Sequence, residues 1–107
     1  MRDLNEILTK INEANDKYEV CKLGDTHTQS EILQTLSTSY LHLTEYRVKF
    51  NDDWMSVYLN SKANSSAAKE READTRVPEL YKIRHFMSNT KLVIDSLRTS
   101  ISANKQN

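Results

Sequence analysis

Four basic residues, Arg84, Lys91, Arg98 and Lys105, stand seven positions apart. Seven residues are two helical turns, so on a helix these cations line one flank at intervals of about 10.5 Å. Such a flank meets either phosphates or a partner's carboxylates, and in both cases its chemistry is electrostatic. Aromatic side chains add a second option, because Tyr46, Trp54, Tyr58, Tyr81 and Phe86 could stack on unpaired bases at roughly 1–3 kcal/mol each. Trp54 and Phe50 fall on the apolar line of their helix and read as core, whereas Tyr58 and Phe86 fall off the main seam. Catalytic chemistry has less to work with. One glycine excludes a Gly-rich phosphate loop, and the adjacent Asp52 and Asp53 point in different directions on a helix. Scattered histidines (His27, His42, His85) and the single Cys21 have no zinc spacing. No enzyme activity, metal or cofactor is expected.

The cationic flank needs a rod to carry it. Beside it runs an apolar seam with three-four spacing, Leu80, Ile83, Met87, Thr90, Ile94, Leu97 and Ile101, which specifies a helix packed lengthwise on another helix. This helix is predicted over about 66–103, capped by Ser65 or Ser66, with a kink or short break near Arg76 to Pro78 because a mid-helix proline lacks a donor and clashes with the preceding turn. The stretch Ala67 to Asp74 has strong helix formers but little apolar surface. It is expected to project beyond the packed seam or to serve as a subunit contact.

A preceding helix is predicted over about 28–62, with Ile32, Leu33, Leu36, Tyr40, Leu43, Arg47, Phe50, Trp54 and Val57 as its buried line. Arg47 interrupts that line; register control or an escaping head group accounts for it, with ligand binding as the alternative. Asn60 to Ser66 is the hairpin turn, since small polar residues compete with helix for backbone hydrogen bonds. The first helix is predicted over about 3–22, with Asp3 as N-cap, Leu4, Ile7, Leu8, Ile11, Ala14, Tyr18 and Cys21 on one face, and Gly24 closing it in the left-handed conformation. No segment alternates as a strand does. The fold class is all-α, a single helical domain built as a long antiparallel, coiled-coil-like hairpin with an additional N-terminal helix, folded against the hairpin or swapped onto a neighbour.

At 107 residues, 37% hydrophobic content and a mean hydropathy of −0.71, the chain has little apolar material for a core. A homo-oligomer is therefore expected. Net charge is zero, but residues 1–31 carry four basic and seven acidic side chains and residues 79–107 carry five and two. That asymmetry fits antiparallel or inter-subunit charge matching as well as a basic binding face. Cys21 excludes an intrachain disulfide, and no segment reads as a signal peptide or a membrane span, so a cytoplasmic protein without a membrane partner is expected.

From Tyr46 onward the chain resembles a group of small helical proteins encoded by tailed bacteriophages. The residues that carry the likeness are the Tyr46–Arg47 pair, the Asn64 to Ser66 turn, the Ala67 to Asp74 segment and the closing Leu97–Arg98. Roughly the last 60 residues are covered, with departures at Pro78 and Asp74. Such proteins are likened to recombination mediators of the UvsY kind. The resemblance implies an oligomer in the host cytoplasm that binds single-stranded DNA and helps a recombinase replace single-strand-binding protein. It offers Arg47, Lys69, Arg71 and Arg76 near the turn, and Arg84, Lys91 and Arg98 along the last helix, as phosphate contacts. The other class of function open to the sequence is a protein-interaction module that inhibits a host defence or replication protein, with Asp3, Glu6, Glu13, Asp16 and Glu19 as its acidic surface. A third is a purely structural helical assembly factor.

Overall fold

The computed structural model describes residues 1–105, the side chain of Lys105 excepted. Every regular element among them is a helix: α1 (Leu4–Val20), α2 (Thr26–Asn60), α3 (Ser66–Arg76) and α4 (Pro78–Lys105). Three of the four starts have the capping chemistry that free first-turn amides require. Asp3 accepts from the Glu6 amide at 3.2 Å, Asp25 from the Thr28 amide at 3.1 Å, and Ser65 from the Ala68 amide at 3.1 Å. The fourth start is Pro78 itself. The chain breaks at Val77, and proline then occupies the first helical position, where its missing N–H costs nothing.

α1 ends earlier than expected, and not through glycine. Cys21 turns extended (φ −72°, ψ 136°) and its amide bonds back to the Tyr18 carbonyl. Gly24 does not adopt a positive φ, because the helix has already closed three residues before it. Asp25 also accepts from the Thr28 hydroxyl at 2.6 Å. That bond, and then the Thr28 amide, hold the Asp25 carboxyl below the usual carboxylate range. A depressed folded-state value makes its contribution present above about pH 4 and lost as pH falls through the lower folded value. Thermal melts at pH 7 and pH 2.5 should therefore show a larger loss of Tm for the wild type than for Asp25→Asn, which keeps a cap but has no proton to take up; equal losses would refute the linkage.

Helices α2 and α4 pack along their length and antiparallel. Gln29 near the start of α2 donates to Ser100 near the end of α4 at 3.2 Å. Every residue of the α4 seam is buried, Thr90 included, whose hydroxyl is satisfied by the Phe86 carbonyl at 2.8 Å. The partner line on α2 is Gln29, Ile32, Leu36, Ser39 and Leu43, all buried, continued by the half-buried Tyr46 and Phe50. This is an unbroken three-four alternation, and it corrects the expected line: Gln29 opens it, Ser39 takes the place of Tyr40 and Tyr46 that of Arg47, while Leu33, Tyr40, Trp54 and Val57 are only half-buried. Arg47 is exposed, one residue past the seam position that Tyr46 fills, so no charge sits in the interface.

α1 folds back along the front half of α2, contributing Ile7, Ile11 and Ala14 to the shared core. The Tyr46 hydroxyl donates to the Arg2 carbonyl and fixes this antiparallel pairing. At the other end of α1, the Leu23 carbonyl accepts from Gln29 at 3.2 Å and from Asn104 at 2.8 Å, so one loop oxygen links α2 and α4. α3 does not project from the body. Ala73 is fully buried, the Trp54 indole donates to Asp74 at 2.8 Å, and the Ser61 hydroxyl donates to Glu72. The molecule is a rod of 60 × 25 × 18 Å.

Candidate nucleic-acid interface

The α2–α4 pair has two flanks, and the basic residues lie on one of them. Lys91 and Arg98 line a shallow groove of about 140 Å³ with Ile94 and Asp95 of α4 and Ser37 and Tyr40 of α2. No α1 residue lines this groove. Arg84 continues the α4 line one heptad further, and Arg47 stands seven residues beyond Tyr40 on α2. The antiparallel register that sets Tyr40 beside Lys91 brings Arg47 to the level of Arg84. Two parallel lines result: Tyr40 and Arg47 on α2, and Arg84, Lys91 and Arg98 on α4.

Arg47, Arg84, Lys91 and Arg98 are exposed. Among the described residues the ion pairs within 4 Å are His27–Glu31 at 3.0 Å and Arg76–Glu72 at 3.9 Å, so none of these four cations is held by a carboxylate of its own chain. Lys105 closes α4, and its side chain lies outside the described residues.

The basic residues near the turn are placed differently. Lys69 sits half-buried on α3 with its ammonium 5.9 Å from the centre of the Tyr58 ring, Arg76 faces Glu72, and Arg71 is exposed. None of the three lines the Tyr40–Lys91 groove. The aromatic candidates divide likewise. Trp54 and Tyr58 stack on each other (5.4 Å, 12°), and Trp54 is tied to Asp74, so both clamp α3 to α2. Phe86 packs against the core and Tyr46 tilts onto Phe50. Tyr81 is the open one, 75% exposed and stacked on His85 at 6.4 Å and 9°, one turn from Arg84.

Residues outside the sequence-based set also belong to this flank. Tyr40 shares the heptad position of Arg47, a signal hidden by assigning it to the buried line. Asp95 follows Lys91 by four residues and precedes Arg98 by three, which puts a carboxylate inside the basic line. Its charge opposes any anion on that line, so Asp95→Asn is expected to raise affinity for an oligonucleotide a few-fold at low salt, read by fluorescence anisotropy; unchanged affinity would place the anion elsewhere.

A larger groove, about 570 Å³, runs between α1 and the front of α2. Its walls alternate in charge, with Glu6, Glu13 and Glu31 against Arg2, Lys10 and Lys17, and so favour neither anion nor cation. Comparison with protein-family models, with curated proteins and with solved structures gives no significant match.

Proposed function

We propose that the chain is a phage accessory protein that binds single-stranded DNA as an oligomer and serves as a recombination mediator, helping a recombinase replace single-strand-binding protein. The observation that carries the DNA reading is the row of exposed cations, Arg84, Lys91 and Arg98, with Arg47 level with the first, none engaged by a carboxylate among the described residues. Basic side chains along a rod release counterions from a nucleic-acid backbone. The exposed Tyr81–His85 stack beside Arg84 favours a single strand, whose unpaired bases have free faces, over a duplex. The test is anisotropy of a labelled single-stranded oligonucleotide titrated at two salt concentrations. Tight binding that weakens steeply with salt supports the reading, and absence of binding by the folded protein overturns it.

A second reading has its own observation. Asp3, Glu6, Glu13, Asp16 and Glu19 of the α1 region are all exposed, and none is in an ion pair among the described residues. A helix with this surface suits a basic target, such as a host defence or replication protein. Retention of that target, with no affinity for bare single-stranded DNA, would favour it.

A further inference from the structure

The outer face of α2, opposite its seam, carries an apolar ridge that no other element covers among the described residues. Leu41, Val48 and Met55 stand at seven-residue intervals on it, and Leu59 follows one turn later, with exposures of 68, 54, 39 and 70%. Single exposed apolar residues are ordinary, but four in register on one helix line extend about 27 Å. Buried seam and exposed ridge share the same heptad repeat, and only one of them is satisfied within the chain.

We infer that this ridge is the contact between two copies of the chain, packed side by side with their α2 helices parallel. Two observations select a second copy, and a third sets its direction. The surface area is 7448 Å², whereas a compact monomer of this mass exposes about 6,100 Å². The excess, about 1,300 Å², is ample for the ~800 Å² that each partner contributes to a standard interface. The radius of gyration is 17.8 Å, against about 13 Å for a compact chain of this length, so the surplus lies along the rod, where a second rod fits. Charge then sets the direction. Glu45 and Asp52 form an acidic line on one side of the ridge, and the neutral Thr44 and Asn51 lie on the other. An antiparallel pair would oppose acid to acid across the two-fold, whereas a parallel pair sets each acidic line against the neutral one.

The inference rests on the oligomeric part of the function proposed above and not on its DNA part, and its test contains no DNA. Light scattering should give twice the chain mass for the wild type and the single-chain mass for Val48→Glu, with unchanged helicity because Val48 is exposed. In a Cys21→Ser background, Leu41→Cys alone should form an interchain disulfide on oxidation. A monomeric wild type overturns both the ridge contact and the oligomeric reading. A wild-type oligomer that Val48→Glu leaves intact overturns the ridge contact alone. Cross-linking that needs Leu41→Cys mixed with Met55→Cys overturns the parallel arrangement.

Discussion

The double variant Arg84→Glu/Arg98→Glu is expected to lose affinity for single-stranded DNA by about two orders of magnitude, while its far-ultraviolet circular dichroism stays that of the wild type. The two parts of this result have separate causes. Both side chains are exposed and hold no carboxylate among the described residues, so reversal disturbs no packing and breaks no ion pair there; surface changes of this kind shift stability by only about 0.5 kcal/mol. Binding depends on the same charges through counterion release. Removing two phosphate contacts should lower the slope of log affinity against log salt by about 1.4 for a single strand. The slope is the more telling readout, because a variant that merely unfolded would lose affinity without a defined change in salt dependence. Anisotropy titrations at three or more salt concentrations measure both, and an unchanged slope would remove the basic line from the binding site. Lys69→Glu is the control from the turn end, where the ammonium is engaged over Tyr58 and no effect on the slope is expected.

The largest loss of stability is expected from Leu97→Ala. Leu97 is fully buried, as is Leu36 on the facing helix, and deleting a core leucine side chain costs about 2–5 kcal/mol, the upper part of that range where the site does not collapse. A chain of this size has about 5–15 kcal/mol in total, so urea denaturation should show the midpoint falling by a large fraction. Leu92→Ala, on the outer face of the same helix and 67% exposed, should leave the midpoint within error. If the two variants behaved alike, α4 would not be packed on α2 through the seam described here.

The seam of α4 was legible residue by residue, from Leu80 to Ile101, and even Thr90 was placed in it by spacing alone. The caps at Asp3 and Ser65, the turn after Asn60 and the break at Pro78 were legible too, because each follows from the chemistry of one or two neighbouring residues. The line on α2 was less so. Buried Gln29 and Ser39 are polar types that spacing without composition does not reveal, while Arg47 sits one residue from a seam position that Tyr46 takes. The expected left-handed Gly24 failed because Cys21 had already ended α1. The packing of α3 was hidden because its contacts with α2 run through one alanine and through polar pairs, Trp54 with Asp74 and Ser61 with Glu72.

For the candidate site, sequence spacing placed Arg84, Lys91 and Arg98 on one flank of α4, since a helix repeats every 3.6 residues whatever it packs against. It left open whether those cations were neutralised by the acidic first helix. Tertiary structure decided that. α1 packs on α2 along a groove that Arg84, Lys91 and Arg98 do not line, so the first helix does not neutralise them. It also placed Tyr40 beside the basic line, put Asp95 within it and drew Trp54 and Tyr58 away into the contact with α3. Periodicity along one helix is a local property, set by backbone geometry and side-chain type. Which flank a third helix covers, and which aromatic is consumed in packing, depends on register between segments tens of residues apart, which only the assembled core specifies.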